Sequence, residues 1–125
     1  MKRDMELVRE LLLYFEAKPD PHMMRSDEIE LPAYAPQNVH YHVVLMCEAG
    51  LLTCERSESS TTPSRLVDAF PFGLSWAGHE FLDAARSETL WSQARQLLKD
   101  KGLSVGLGLL QALLISLAKQ QLSLS

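Results

Sequence analysis

The segment QNVHYHVVLMCEAGLL, residues 37–52, predicts a helix that ends at a glycine and continues directly into a strand. Val39, Val43 and Met46 recur at spacings of three and four residues, which places them on one face of a helix. Gly50 supplies a residue that readily adopts the left-handed backbone with which many helices end. The helical part contains neither lysine nor arginine. This absence matters for function, because cationic side chains supply most of the affinity of proteins for nucleic-acid phosphates.

The segments on either side of this helix complete the order of elements. Apolar residues at helical spacing predict a first helix over residues 2–17, which ends at a Lys-Pro-Asp-Pro sequence because proline lacks an amide donor. Residues 22–36 fit either a short helix or an extended segment. Residues 51–57 and 65–76 predict two strands, joined by a tip of turn composition at 58–64. We therefore predict a mainly helical chain with a small β-hairpin, arranged as a winged helix-turn-helix.

The remainder of the chain predicts further helices beyond this minimal arrangement. Ser75 can cap a helix that continues or restarts as far as Gly102. A final helix over about residues 104–122 has apolar residues on more than half of its circumference. We accordingly divide the chain into a winged-helix domain, residues 1–86, and a C-terminal helical extension, residues 87–125.

The final helix carries more apolar surface than one side of a small domain needs to cover. One apolar stripe can pack on the rest of the chain, and a second copy of the chain is the commonest partner for the other stripe. The alternative is that the chain buries both stripes itself. A close approach of another helix would also explain the glycine at position 106. The predicted dimerisation residues are Leu107, Leu110, Leu114 and Ile115.

The 125 residues carry a formal net charge of −4, so any binding to nucleic acid requires a local patch of cations. The first ten residues lack the apolar core of a signal peptide, and polar side chains interrupt residues 103–122 too often for a membrane span. We therefore expect a cytoplasmic protein that does not associate with membranes. Two cysteines do not make a disulfide framework, so Cys47 and Cys54 are expected to be reduced structural thiols.

Two parts of the chain resemble known families. The segment NVHYHVVLMCEAGLL is similar to the recognition-helix region of arsenic-repressor-like winged-helix regulators. The segment FGLSWAGHEFLDAARSETLW resembles the region after the hairpin in a small prokaryotic and phage family of unknown function. This resemblance implies a winged-helix fold and a regulatory role, and it brings no catalytic residues. The residues that carry it are Met1–Asp4, Tyr41, His42, Glu48–Leu51, Leu74–Asp83 and Trp91.

Binding to double-stranded DNA would place the helix over residues 37–49 in the major groove. Glutamine and asparagine can pair with the edge of adenine, and tyrosine or histidine can bond phosphate, whereas cations must come from the flanking segments. Glu48, Glu55 and Glu58 oppose such binding. The alternative is a protein-interaction module, an adaptor or inhibitor that keeps the fold without binding DNA. The candidate DNA-binding residues are Gln37, Asn38, His40, Tyr41, Lys2, Arg3, Arg25, Arg56 and Arg65.

The sequence offers little support for catalysis or for a cofactor. His40 and His42 lie two residues apart on a helix, so they point in different directions and cannot share one metal ion. His42 lies near the apolar face, where we expect it to be buried and bonded to a backbone carbonyl. The glycines and serine of residues 73–78 do not have the spacing of a hydrolase nucleophile elbow. We therefore expect a non-catalytic protein without a metal or cofactor.

Overall fold

The computed structural model describes residues 1–58, 61 and 66–123, in which five α-helices accompany one antiparallel pair of strands. This confirms the prediction of a mainly helical chain with a small β-hairpin. Most of the predicted hairpin tip at 58–64, together with Arg65, lies outside the described residues. In chain order the elements are α1 (Met5–Ala17), a 3-10 turn (Ser26–Glu28), α2 (Pro36–Glu48), β1 (Leu52–Glu58), β2 (Leu66–Leu74), α3 (Trp76–Ala85), α4 (Glu88–Asp100) and α5 (Leu107–Ser123).

The chain forms two compact units, Met1–His79 and Glu80–Ser125. The boundary between them falls inside α3, earlier than the predicted division after residue 86. The segment 22–36, which the sequence left open between helix and extended chain, contains only the single 3-10 turn in regular structure.

Helix α2 is the centre of the first unit. It contacts α1, both strands and the 3-10 turn. Val39, Val43 and Met46 are buried, as their spacing predicts, and they meet a core to which α1 contributes Leu7 and Leu11. Four elements therefore pack around the buried face of α2, and the fully exposed residues of that helix lie at its two ends.

The end of α2 turns directly into β1 through a glycine, as predicted. Gly50 has a φ of +76°, a left-handed conformation in which a side chain would be strained. This geometry lets the Leu51 amide donate to the carbonyl of Met46 at 2.9 Å and the Gly50 amide donate to that of Cys47 at 3.1 Å. The Arg56 guanidinium, from β1, also donates to the Cys47 carbonyl at 2.9 Å. The last carbonyls of α2 therefore have local partners.

Cys47 and Cys54 form a disulfide in the structure, so the prediction of reduced thiols is wrong. The turn at Gly50 reverses the chain and brings the two Cα atoms to 6.1 Å, a separation that a disulfide can bridge. The number of cysteines alone could not indicate this pairing, because it depends on how the turn folds.

The two strands pair antiparallel, with Leu52 opposite Leu74. The register shifts where Thr53 faces Gly73 and Cys54 faces Pro71, which leaves one extra residue in β2. Pro71 lies at this irregularity. Proline has no amide hydrogen to give to a neighbouring strand, so an irregularity of this kind accommodates it.

The start of α3 is held against the turn between α2 and β1. The Ser75 hydroxyl oxygen accepts a hydrogen bond from the Gly78 amide at 3.1 Å, which confirms the predicted helix cap. The Ser75 amide donates to the Leu51 carbonyl at 3.0 Å, and its hydroxyl donates to the Gly50 carbonyl. A Cβ atom added at Gly78 would lie 2.1 Å from the Leu51 carbonyl oxygen, so only glycine fits there.

The second unit contains the packed pair α4 and α5. Ser87 separates α3 from α4 and caps α4 by accepting from the Leu90 amide at 3.2 Å, so the helix restarts rather than continues. Trp91 and Ala94 of α4 are buried, as are Leu110 and Leu114 of α5.

Burial within the single chain changes the predicted dimerisation surface. Leu110 and Leu114 are already buried within the single chain, so they cannot contribute to contact with a second copy. Ile115 remains 42% exposed and Leu107 is half-buried. An added Cβ atom at Gly106 would meet nothing within 4 Å, so no close helix approach within the described chain explains that glycine.

We expect Gly78→Ala to destabilise the protein by about 1–3 kcal/mol or more, since the new methyl group overlaps a backbone oxygen that cannot move freely. Urea denaturation followed by circular dichroism measures this loss. Gly73→Ala is the matched control, because an added Cβ atom there meets nothing within 4 Å. Equal stability of the two variants would contradict the close contact between α3 and the turn.

Candidate nucleic-acid interface

A fully buried histidine joins the segment Met1–Asp4 to α2. The Asp4 amide donates to His42 Nε2 at 2.7 Å, and His42 Nδ1 lies 2.8 Å from the Asn38 carbonyl oxygen. Because Nε2 accepts a hydrogen bond, the proton of the neutral ring is on Nδ1, which donates to that carbonyl. The prediction of a buried histidine bonded to a backbone carbonyl is confirmed.

This bond determines where two candidate cations lie. Lys2 and Arg3 are exposed and directly precede Asp4, the residue that the His42 contact fixes against α2. The Asp4 carboxylate also accepts from the Glu6 amide at 2.9 Å and caps α1. A single residue thus connects the start of α1 to α2, and the two cations precede it in the chain.

The outward residues of α2 differ in their availability. Gln37 is exposed, and Asn38 is half-buried. Tyr41 is also half-buried and places its ring edge-on to that of His42, with the ring centres 5.6 Å apart. Among the predicted base-contacting residues, the exposed surface is therefore at the first turn of α2.

His40 connects α2 to two other elements, and 40% of its side chain remains exposed. Ser26 Oγ of the 3-10 turn lies 2.6 Å from His40 Nδ1. Asp68 Oδ1 of β2 lies 3.8 Å from His40 Nε2, too far for a hydrogen bond but close enough for attraction if the ring is protonated. The role of His40 in the structure is thus to link α2 to its neighbours.

The remaining candidate cations do not gather around α2 as free charges. Arg25 forms an ion pair with Asp27 at 2.6 Å, and Arg56 is bonded to the Cys47 carbonyl. Arg65 lies outside the described residues. Within the described part of the chain, Lys2 and Arg3 are the two predicted cations that remain for phosphate.

Carboxylates near the start of α1 oppose these two cations. Burial raises the pKa of the Tyr34 phenol, and the negative charges of Asp4, Glu10 and Glu6 raise it further. Asp4 directly follows Lys2 and Arg3 in the chain, and Glu6 follows two residues later, so their carboxylates oppose binding of phosphate by these two cations.

Trp76 is a surface feature that the sequence analysis did not single out. It is 81% exposed at the first position of α3. Its neighbours Ser75 and Gly78 have structural roles, since they cap α3 and allow its close approach to Leu51. The signal in the sequence was a tryptophan between a residue that caps α3, Ser75, and a glycine that packs against Leu51, Gly78.

The described residues contain no group of three or more histidine, cysteine, aspartate or glutamate side chains arranged to hold a metal ion. No helix among them combines the length and the apolar character needed to cross a membrane.

Replacing His42 with phenylalanine keeps an aromatic ring in the core but leaves the partly buried Asp4 amide without its acceptor. We expect His42→Phe to lower the free energy of unfolding by about 1–3 kcal/mol. Hydrogen exchange followed by mass spectrometry should also show faster exchange in residues 1–5. His40→Phe, at a half-exposed position, should leave that segment protected; equal exchange in both variants would exclude the anchoring role of His42.

Comparisons with known proteins agree with the resemblance found in the sequence. A family model described as a hypothetical protein (DUF2513) matches residues 2–104. An uncharacterized protein of Haemophilus influenzae is 27% identical over 123 residues, which cover 98% of this chain and all of the relative. No solved structure matches the chain. The prediction of a family of unknown function is confirmed, whereas the relation to arsenic-repressor-like regulators and the phage association stay predictions.

Proposed function

We propose that this chain, which belongs to the DUF2513 family, is a non-catalytic winged-helix regulator that binds double-stranded DNA. The order of α1, 3-10 turn, α2 and hairpin supports the winged-helix interpretation, with the 3-10 turn in the position of the first helix of a helix-turn-helix pair. In this interpretation α2 is the recognition helix.

The observation that carries the proposal is the hydrogen bond between the Asp4 amide and His42. It fixes Asp4, the residue that directly follows Lys2 and Arg3, against the helix whose first turn is exposed. Gln37 and Asn38 of that turn are of the residue types that pair with adenine in the major groove. The two cations would then contact the adjacent backbone, so one end of α2 reads bases while the preceding segment binds phosphate.

The electrostatic contribution of Lys2 and Arg3 to the proposed DNA binding is small. Two neutralised phosphates give a slope of about −1.8 in a plot of log binding constant against log salt concentration, compared with about −10 for strongly electrostatic DNA-binding proteins. Binding by one copy should therefore be weak and should depend modestly on salt. Selectivity must come from the first turn of α2 rather than from a strong general attraction to DNA.

We expect Lys2→Ala/Arg3→Ala to reduce the magnitude of the salt slope by about 2 per chain and to weaken binding similarly for all DNA sequences. Fluorescence anisotropy with labelled DNA fragments at 25–200 mM salt, about the range in which phosphate contacts dominate, measures both effects. Lys99→Ala/Lys101→Ala in the second unit is the control with the same change in net charge. Absence of wild-type binding at low salt, or equal weakening by the control, would refute the proposal.

The second candidate function is a protein-interaction module, and the exposure of Trp76 favours it. Large aromatic side chains are enriched among the residues that dominate binding energy at protein interfaces. A tryptophan that is 81% exposed leaves most of its apolar surface in water, so covering it with a partner would be favourable. The ion pair of Arg25 also fits this alternative, since the Asp27 carboxylate offsets the charge of Arg25 at the proposed DNA surface. The bond of Arg56 to the Cys47 carbonyl fits it as well, since it engages one nitrogen of that guanidinium within the chain.

Trp76→Ala should leave the free energy of unfolding within about 0.5 kcal/mol of the wild type, because the side chain has few contacts to lose. If the chain acts through protein contact, this variant should lose a partner retained by the wild type in affinity capture from the host cell. Lys2→Ala/Arg3→Ala should keep that partner. Retention of every partner by Trp76→Ala, together with salt-dependent DNA binding, would exclude the second candidate.

A further inference from the structure

The two histidines of α2 differ in the kind of group that each ring faces. His42 is fully buried, and its Nε2 accepts from the Asp4 amide at 2.7 Å. A backbone amide donates and cannot accept, so this contact requires a ring nitrogen with a free lone pair. His40 Nδ1 instead lies 2.6 Å from the hydroxyl of Ser26, a group that can either donate or accept. Of these two bonds, the one made by His42 therefore requires a neutral ring.

A proton added to His42 would place two N–H groups opposite each other. The imidazolium carries hydrogen on both nitrogens and has no acceptor. Nδ1 would keep its bond to the Asn38 carbonyl at 2.8 Å, but Nε2–H would point at the Asp4 N–H. The hydrogen bond would be lost, and a charge would be enclosed with one of its donors unpaired. Movement of Asp4 away from the ring would let water accept from Nε2.

Protonation of His40 has the opposite effect on its contacts. Nδ1–H would donate to the Ser26 hydroxyl oxygen. Nε2 lies 3.8 Å from Asp68 Oδ1, so the positive ring would be attracted to that carboxylate. The ring is also partly exposed, and water can solvate its charge. Acid should therefore strengthen the link that His40 makes.

The anions at the start of α1 do not resolve the conflict at His42 in place. The Asp4 carboxylate accepts from the Glu6 amide at 2.9 Å and caps α1. For this carboxylate to pair with the imidazolium, the amide would have to leave the ring and the carboxylate would have to leave the cap. Glu6 follows in the first turn of the helix and adds a second negative charge there.

The other elements around α2 supply no described anion to His42. Arg9 of α1 is buried and positive, so it does not stabilise an imidazolium. The pKa of the Tyr34 phenol is raised, so this side chain stays neutral in acid. Arg56 of β1 is bonded at the end of α2, while Asp68 of β2 and the 3-10 turn both face His40.

We propose that His42 is a pH-sensitive switch that releases residues 1–4 from α2 in acid. The neutral ring makes the bond, so its stabilising contribution is present where the ring is neutral and is lost as the pH falls. Free histidine side chains take up a proton at about pH 6.5, which sets the scale of the change. Met1, Lys2 and Arg3 are exposed, so their release leaves the core of α1 in place. This release belongs to the chain without a ligand and does not rest on the proposed function.

Solvent exchange of the Asp4 amide, measured by NMR on the wild type at about pH 7.5 and about pH 5, tests the release. Each rate is compared with that of an unstructured peptide of the same sequence at the same pH, which removes the direct effect of pH on exchange. The protection of this amide should fall about tenfold or more in acid, as expected for the loss of one hydrogen bond. Amides in the middle of α2 should stay protected. Unchanged protection of Asp4, or loss of protection throughout the first unit at the same pH, overturns the proposal.

His42→Gln separates protonation from packing. Glutamine does not titrate, and its amide offers an acceptor for Asp4 and a donor for the Asn38 carbonyl, so the Asp4 amide should stay protected at both pH values. His40→Gln is the matched control, because it removes a histidine from the same helix and should release the segment as the wild type does. Acid release in His42→Gln, or its absence in His40→Gln, contradicts the assignment.

Nitrogen-15 NMR of wild-type protein labelled at histidine reads the ring directly. The Nε2 signal of His42 should change from the unprotonated to the protonated form over the pH range in which the Asp4 amide loses protection. This measurement does not depend on the folding of any variant. A ring that is still neutral when the segment is released overturns the proposal.

Discussion

The imidazole of His42 is the interaction on which the arrangement of the first unit depends. One ring nitrogen accepts from the Asp4 amide, and the other bonds the Asn38 carbonyl within α2. Since the ring is fully buried, no water can replace either partner without opening the core. The chain before α1 is thereby tied to the central helix, and Asp4 in turn caps α1. The proposed function uses this arrangement because it requires exposed cations beside a recognition helix.

The distribution of charge limits what the surface can bind. The sequence offers five candidate cations around α2, but Arg25 and Arg56 have partners within the chain. A count of cations therefore overestimates the charge available to phosphate. The same structure leaves Trp76 in solvent at a helix start whose neighbouring residues are committed to packing. The first observation limits the strength of the proposed DNA binding, and the second supports the proposed contact with a protein.

The parts of the fold that depend on short-range patterns could be predicted from the sequence. Three predictions of this kind are confirmed, each of which depends on residues close together in the chain. They are the burial of Val39, Val43 and Met46, the glycine turn after α2, and the helix cap at Ser75. The disulfide, and the contacts of His40 with Ser26 and Asp68, could not be predicted, because they join residues that only the folded turn or tertiary packing brings together.

The prediction that Leu110 and Leu114 lie on the outer face of α5 is wrong for a related reason. The two apolar stripes of this helix are of similar strength, so the sequence could not show that the stripe with Leu110 and Leu114, predicted for the dimer interface, faces the inside of the chain. Packing on α4 selects the stripe that contains Leu110 and Leu114, and it leaves Leu109 and Leu122 on the surface. For the candidate site, the sequence indicated which residue types could contact DNA, but it could not indicate which of those side chains the fold leaves exposed. Gln37, Lys2 and Arg3 are exposed, whereas His40 is held by its neighbours.

The disulfide between Cys47 and Cys54 closes a ring around the junction of α2 and β1, and other contacts hold that junction as well. Gly50 supplies the turn, Arg56 donates to the Cys47 carbonyl, and the Ser75 hydroxyl donates to the Gly50 carbonyl. Breaking the sulfur–sulfur bond would thus leave the folded junction in place. The covalent link acts mainly on the unfolded chain. A ring of this size lowers the conformational entropy of that chain and so raises its free energy by about 2.5 kcal/mol. Changes in thiol chemistry would then alter how readily the protein refolds after opening, while the shape of its surface stays the same.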